Sequence, residues 1–369
     1  MRARLKICRM NDRHPIDVRA VFLGALALCG CAGSTPAVQN PTFGASRSDV
    51  AEKNTDGFIP ITEESFAHAE TAKNFRNWAA RGANEHVTHM RGLPPRGDAA
   101  PTIQMNDDTL YSVVITEVDD QGEVTFTIPE TDVYMAVQVV NEGGHGLHYV
   151  VDDGTHTVKV DSQFAFLIYR SGTEKGLDAA RAAQDLIDDD GFKFETYEVK
   201  SYDYDDVQRW VERYREETRD YVLEYTFPRS ASEITDLHQW NLEVANGWGG
   251  SSPEVGVSNK YTNSKFMDGA TCYQTTFENP GSVYFTSVTA YDEDRYLFEG
   301  VRNVSSYTWT MNRNGTITVS FNCGDEAPNN IDTNGQTFSF TMRYYGVSQE
   351  VMDGQIAPTK TVKKGTAPR

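Results

Sequence analysis

Alternating apolar and polar positions predict β-strands in two separate stretches of the chain. Between residues 100 and 170 the alternation has a period of two, and β-branched and aromatic residues are frequent, as in half-buried strands. The strands predicted there are 110–116, 124–128, 133–140, 156–160 and 164–169. The second stretch predicts strands at 272–277, 283–290, 296–299, 307–311, 316–321 and 337–344, with a hairpin turn at Asn314-Gly315.

A first helix is predicted to begin after Thr62, whose hydroxyl is followed by two acidic residues in the first turn. Gly82 interrupts the apolar stripe of this helix, and the segment 92–95 ends it. His86 and His89 then fall near its end, where residues three apart share a face. They are either metal ligands or histidines favoured by the helix dipole alone.

Two more helices are predicted between the stretches of strands. One covers 173–190, with Thr173 as its cap, and the other covers 203–226, where apolar residues recur at steps of three and four. Asp203 caps the longer helix and Pro228 stops it. A loop-rich passage is expected after Pro228. The predicted fold class is therefore mainly β with a helical middle (α+β), consisting of two antiparallel jelly-roll-like β-sandwich domains.

The first 31 residues have the pattern of a secretory targeting segment. A basic lead is followed by a short apolar run at 20–28, which is shorter than the 20 or so residues needed to cross a bilayer. Leu28-Cys29-Gly30-Cys31 resembles a bacterial lipobox, with Cys31 as the acylated residue. The alternative is an ordinary cleaved signal peptide, and translation starting at Met10 is also compatible with this pattern. Residues 32–58 are expected to be a flexible tether, which predicts a lipid-anchored protein facing the periplasm at the outer membrane.

Charge and cysteine content narrow the class of protein. The chain has 53 acidic and 34 basic side chains, a formal net charge of −19, which argues against nucleic acid as a partner. Membrane attachment is expected through the lipid anchor rather than through charge. Cys272 and Cys323 are the two thiols that remain after Cys31, and in an oxidising compartment they form one disulfide or stay as two buried free thiols.

The best candidate for chemistry is the glycine-rich segment 141–149. Glu142, His145 and His148 lie within seven residues, so a folded turn would bring them to one metal or one substrate, and His with Glu is a general acid–base pair. In a straight strand the two histidines would instead point to opposite faces. No Gly-x-Ser-x-Gly, phosphate-binding loop, Gly-x-Gly-x-x-Gly or His-Glu-x-x-His motif occurs in the sequence.

A second candidate is the polar segment ahead of the first long strand. Asp107 and Tyr111 either edge a pocket together with Asn106, or the Asn and Asp side chains only bond their own backbone. Trp240 and Trp248 are further candidates for contact with a ligand, because aromatic rings line many small-molecule pockets.

These segments resemble a known pair of families. The stretch 106–112, followed by a strand and the Pro turn at 127–132, resembles domain of unknown function 1254. The segments 245–250, 284–291, 314–319 and 343–354 resemble domain of unknown function 1214. The resemblance covers about 60–358 and implies an exported, two-part, mainly β protein with no assigned reaction. Relatives often carry a second Cys shortly after the one matching Cys323, but this chain has 328–330 without one, so Cys323 would need Cys272.

The resemblance and the patterns together give the expected domain organisation. It is listed here in chain order: a lipoprotein signal at 1–31, a tether at 32–58, a domain resembling domain of unknown function 1254 at 59–172, a helical connector at 173–227, a domain resembling domain of unknown function 1214 at 228–358, and a loose tail at 359–369.

Three functions follow as expectations. The first is an envelope lipoprotein that binds a small organic molecule or a sugar in a sandwich cleft. The second is a periplasmic hydrolase or lyase with His145 or His148 as base, Glu142 or Asp107 as orienting group and Tyr111 as a donor. This second function requires Asp107, Tyr111 and His145 to share one pocket. The third is a structural component of the envelope. The sequence identifies no cofactor, metal or oligomeric state.

Overall fold

The computed structural model describes residues 57–225, 227–300, 302–356 and 361–367. The targeting segment with Cys31, and nearly all of the tether, lie outside these described residues. Among the described residues, no helix is both long and apolar enough to span a bilayer.

The N-terminal half is a helix followed by seven strands. Five of the strands form an antiparallel sheet in the order β1-β2-β7-β4-β5, and β3 pairs with β6 as a separate two-stranded sheet. The elements are α1 (Glu63–Ala79), β1 (Thr88–His89), β2 (Thr109–Glu117), β3 (Glu123–Ile128), β4 (Met135–Asn141), β5 (Gly146–Val150), β6 (Gly154–Lys159) and β7 (Phe164–Gly172), with a 3₁₀ turn at Gly97–Ala99.

The middle and the C-terminal half add helices and two further sheets. One sheet has the order β12-β11-β15-β9-β8 and the other β14-β13-β10-β16. The elements are α2 (Leu177–Gln184), α3 (Tyr204–Glu217), β8 (Leu223–Glu224), a 3₁₀ turn at Ala231–Glu233, α4 (Leu237–Gly247), β9 (Asn259–Asn263), β10 (Thr271–Phe277), β11 (Phe285–Tyr291), β12 (Asn303–Ser305), β13 (Ile317–Phe321), β14 (Asn330–Ile331), β15 (Ser339–Tyr345), α5 (Gln349–Met352) and β16 (Val362–Thr366).

The long strands and the starts of α1 and α3 follow from local sequence, and the mainly β, α+β fold class is confirmed. The Thr62 hydroxyl accepts a hydrogen bond from the Ser65 amide at 3.3 Å, and the Asp203 carboxylate accepts from the first amides of α3. The helix ends differ from the prediction. The helix α1 stops at Ala79, so His86 lies outside it and His89 lies on β1, and the prediction that the two share a helical face is wrong.

The helix predicted at 173–190 is shorter. It is α2, which begins after Gly176 without a side-chain cap and ends at Gln184, whereas Thr173 donates to the Asp108 carbonyl.

Several other differences arise from tertiary packing. The helix α3 ends at Glu217, and the chain then pairs as β8 with β9. The helix α4 replaces a predicted loop. All of its residues from Trp240 to Asn246 are buried, so no polar face marks it in the sequence. Residues 362–366 were expected to belong to a loose tail, but they pair with β10 as strand β16. The predicted strands 296–299 and 307–311 each contribute a single bridge instead of a strand.

The strand period places a separate core on one face of each five-stranded sheet. In β7, Leu167 and Tyr169 pack with the β3–β6 pair, and in β15, Phe340 and Met342 pack with the other C-terminal sheet. Helices α1, α3 and α4 form a third cluster with their own apolar residues. Cys272 and Cys323 are joined by a disulfide between β10 and the end of β13. The remaining faces of the two five-stranded sheets define the site described next.

Candidate ligand-binding site

A cavity of about 90 Å³ is lined by the second faces of the two five-stranded sheets and by the end of α4. On the N-terminal sheet this face also packs against Phe75 and Trp78 of α1. Alternate residues of a strand share a face. Strand β7 accordingly contributes Phe166, Ile168 and Arg170, and β15 contributes Thr341, Arg343 and Tyr345. The rest of the lining is listed here: Trp78, residues 102–106, Tyr111, Val113, Tyr225, Phe227, residues 247–250 and Tyr261. Eight of these residues are aromatic, and two guanidinium groups lie among the rings.

Arg170 is buried at the cavity wall with a solvent exposure of 4%. Its Nη2 donates to the Gln138 side-chain oxygen at 2.8 Å and to the Gly249 carbonyl at 3.4 Å. Its Nη1 is buried without a hydrogen-bond partner. Burial acts to lower the pKa of Arg170, but the hydroxyl groups of surrounding tyrosines, first Tyr261 and then Tyr149, act to raise it, and the net direction is upward. The group therefore keeps its positive charge.

Arg343 lines the same cavity from β15, and its exposure is also 4%. Its Nη2 donates to the Gln104 carbonyl and to the Tyr291 hydroxyl, and its Nη1 is again buried without a partner. The guanidinium lies 5.8 Å from the centre of the Tyr261 ring and 5.5 Å from that of Tyr291, within the range of cation–π attraction.

Neither arginine forms an ion pair with a carboxylate of the described residues. The nearby acidic groups are engaged elsewhere. Asp107 pairs with Arg302 at 2.7 Å and with Arg96 at 3.3 Å. Asp108 is fully enclosed, and burial raises its pKa to about 6. Neither guanidinium in the cavity wall therefore has a carboxylate of the described residues within ion-pair distance, and Arg343 acts on Asp107 and Asp108 from beyond that distance, where it opposes the rise in their pKa values that burial causes.

The loop 102–106, which lines the cavity, has an unusual backbone conformation at Gln104. Gln104 has φ +52°, in the left-handed region that non-glycine residues rarely adopt. Its amide donates to the Arg295 carbonyl at 3.0 Å and its carbonyl accepts from Arg343, so contacts from the C-terminal half hold it. Its side-chain Nε2 is a third buried donor without a partner.

Three of the four residues expected to contact a ligand line this cavity. Asn106, Tyr111 and Trp248 are part of its wall, whereas Trp240 is packed inside the helical cluster and stacks on His145. Asn106 also has the alternative role considered for it, because its Oδ1 accepts from the amides of Asp108 and Thr109 at 3.0 Å. The Asp107 carboxylate is not part of the lining.

The segment 141–149 does not gather its polar groups. A turn at 141–144 precedes strand β5, which begins at Gly146, and the three side chains leave this segment toward different partners. His145 is buried beside Asn141, whose amide contacts the imidazole at 3.1 Å, while the His148 ring donates to the Lys159 carbonyl at 2.9 Å. Glu142 accepts from the amides of 163 and 164 and pairs with Lys200 at 3.2 Å.

The hydrolase or lyase hypothesis requires Asp107, Tyr111 and His145 to share one pocket. Tyr111 lines the cavity, but Asp107 and His145 do not, so the expected gathering of the three in one pocket is wrong. Among the described residues, no group of three or more His, Cys, Asp or Glu side chains has the geometry to hold a metal ion.

Arg170 and Arg343 are the residues of the site that the sequence analysis missed. A signal for them exists in the chain. Each is the one charged residue of a buried strand, FAFLIYRSG in β7 and SFTMRYY in β15. A charged residue is rarely fully buried unless it has a partner. A lone arginine in such a strand therefore indicates a candidate site residue.

The fold and the site together define a β-rich protein with two sandwiches around a cavity that has aromatic walls and two buried arginines. Residues 84–150 match a family described as protein of unknown function DUF1254. No curated protein sequence matches the chain at a significant level.

Two solved structures are similar to this chain. The VPA0106 protein from Vibrio parahaemolyticus is 13% identical, with a TM-score of 0.53 over 84% of this chain and 100% of that one. A putative uncharacterized protein from Burkholderia cenocepacia is also 13% identical, with a TM-score of 0.46 over 81% of this chain and 88% of that one. At this identity the first likeness supports the fold alone.

Proposed function

We propose that this protein binds a small organic molecule in the cavity between the two five-stranded sheets. The observation that carries the proposal is a set of three buried donors without partners on aromatic walls, namely Gln104 Nε2, Arg170 Nη1 and Arg343 Nη1. Buried polar groups in folded proteins are nearly always paired, so donors left without a partner around a cavity are typical of a site that a ligand completes.

The size of the cavity restricts the ligand. A volume of about 90 Å³ is several times the roughly 10–15 Å³ that one water molecule needs, but it is well below the roughly 300–1,000 Å³ of sites for drug-sized ligands. The ligand is therefore a molecule of a few heavy atoms or one ring. Extended oligosaccharides are too large for this space.

Intrinsic fluorescence provides a direct test. Trp78 and Trp248 line the cavity, whereas Trp309 packs against the C-terminal core. Titration with small aliphatic and aromatic molecules is expected to change the fluorescence of the wild type and of Trp309→Phe, and to change it much less in Trp248→Phe.

A second variant tests whether the cavity itself is the site. Val113→Phe places a ring in the cavity from β2 and should abolish the response while the protein keeps cooperative unfolding. An unchanged titration in Val113→Phe would contradict the proposal. A wild type that binds nothing in the series would favour the structural role in the envelope.

We further propose that this binding protein is an envelope lipoprotein, acylated at Cys31 and facing the periplasm from the outer membrane. The support is the lipobox-like Leu28-Cys29-Gly30-Cys31 after a basic lead and an apolar run. Mass spectrometry of the mature N-terminus should find an acyl modification on Cys31, and Cys31→Ser should release the protein from the membrane fraction. Retention of Cys31→Ser in the membrane would contradict the anchor.

The C-terminal half is proposed to correspond to domain of unknown function 1214, and the boundaries 59–172, 173–227 and 228–358 stay predictions. The support is the order of the motifs at 245–250, 284–291, 314–319 and 343–354. Limited proteolysis tests the boundaries, because cleavage within 173–227 should leave two protected fragments if they are correct.

A further inference from the structure

Two buried guanidinium groups face one small cavity and have no carboxylate partner in the described part of the chain. We propose that the ligand is an organic carboxylate, whose carboxylate group binds between Arg170 and Arg343. This inference rests on the proposed function, because it names the class of molecule that the same cavity takes.

The first argument is the cost of the unpaired charges. Taking an ion out of water costs several kcal/mol, and this cost is offset only when a counter-charge and hydrogen bonds replace the water. Each arginine has the hydrogen bonds of one terminal nitrogen in place, but its other terminal nitrogen, Nη1, has none. A carboxylate supplies both the missing negative charge and two acceptor oxygens, one for each Nη1.

The second argument is that the chain does not use its own abundant carboxylates here. The sequence has 53 acidic side chains against 34 basic ones. Neither arginine nevertheless forms an ion pair with an acidic side chain of the described residues. Asp107, which belongs to the adjoining loop, forms its ion pairs with Arg96 and Arg302, and Arg343 acts on it only from beyond ion-pair distance. The Nη1 donors of Arg170 and Arg343 therefore have no carboxylate of the described residues as a contact partner.

The third argument distinguishes an organic acid from an inorganic anion. Aromatic rings, including Trp248, Tyr261 and Tyr345, form much of the remaining wall. They provide apolar contact for a hydrocarbon body, which an inorganic phosphate or sulfate lacks. The unpartnered Gln104 Nε2 is available for a further hydrogen bond to the same ligand.

The test compares each acid with its neutral amide, which keeps nearly the same size and shape. Acetate, hexanoate and benzoate are titrated against acetamide, hexanamide and benzamide, with inorganic phosphate as a further probe, by tryptophan fluorescence and calorimetry at pH 7. At least one acid is expected to bind ten-fold or more tightly than its amide. This comparison uses the wild type and does not depend on the folding of any variant.

Substitution of each arginine then tests whether its charge contributes to binding. Arg170→Gln and Arg343→Gln are each expected to weaken binding of the best acid by about 10- to 100-fold, as is typical for loss of a charged hydrogen bond. The matched control is Arg229→Gln, because Arg229 forms an exposed ion pair with Glu254 and is not part of the cavity wall. It should leave the affinity unchanged. Thermal unfolding of each variant shows whether it is folded.

The outcomes separate the two proposals. Equal binding of an acid and its amide, with an unchanged affinity in both folded arginine variants, would overturn the carboxylate assignment and leave the small-molecule function in place. Binding of phosphate without binding of any acid would also overturn the assignment. Failure of the wild type to bind any member of the series would overturn both proposals.

Discussion

Asp108 is a buried carboxylate whose replacement by Asn should stabilise the protein at neutral pH. Its side chain is 3% exposed, and its Oδ2 accepts a hydrogen bond from Asn303 at 3.1 Å. Burial raises its pKa from 3.8 to about 6, and the neighbouring Asp107 adds to the effect, whereas Arg343 and Asn303 oppose it. An amide at this position keeps an oxygen for Asn303 and has no charge to bury.

The magnitude follows from the difference in pKa between the unfolded and the folded chain. A change from 3.8 to about 6, at about 1.36 kcal/mol for each pKa step, corresponds to about 3 kcal/mol. The sign is fixed because the folded state holds the proton more tightly. The contribution of Asp108 to stability is therefore fully present below pH 3.8 and is lost as the pH rises through 6. Asp108→Asn should thus gain up to about 3 kcal/mol over the wild type at pH 7, and little at pH 4.

Urea unfolding between pH 4 and pH 8, with the free energy obtained by linear extrapolation, measures this difference. The control is Asp178→Asn, because the Asp178 side chain is 99% exposed. Its effect should stay within about 0.5 kcal/mol at every pH. A variant Asp108→Asn that is less stable than the wild type at pH 7, or a difference that does not change with pH, would refute the reasoning.

Three further predictions concern stability. Replacing Cys272 and Cys323 by Ser opens a loop with a sequence separation of 51 and should cost about 4 kcal/mol in urea unfolding under oxidising conditions; equal stability of variant and wild type there would contradict the cross-link. Asn106→Ala leaves two buried amides without an acceptor and should cost about 2–4 kcal/mol, whereas a loss below 0.5 kcal/mol would show that water replaces the side chain. The pKa of His238 is raised chiefly by its hydrogen bond to Glu217, so its stabilising effect is complete below pH 6.5 and is lost at higher pH. His238→Gln should therefore lower the melting temperature more at pH 5.5 than at pH 8.5, by a small amount because the side chain is 41% exposed, and equal losses would contradict the assignment.

Local sequence was a good guide to the strands that alternate and to the helices that begin with a capping residue. The predicted strand 110–116 is β2, the predicted strand 164–169 is most of β7, and the caps Thr62 and Asp203 hold their helices as expected. It was a poor guide to α4, whose residues from Trp240 to Asn246 are all buried and therefore show no amphipathic period. It also missed β9, whose sequence Asn259–Asn263 is polar and which is a strand because β15 lies beside it.

The sequence by itself determined the acidic charge, the β-rich class and the polar segment 106–111, because these depend on composition and on contacts between near neighbours. The tertiary structure alone decided the site. Arg170 and Arg343 belong to strands of different halves, and only the packing of two sheets on one another brings them to the same cavity. The same packing gave Glu142, His145 and His148 separate partners although they are close along the chain, because each side chain leaves the turn and the following strand toward a different neighbouring segment.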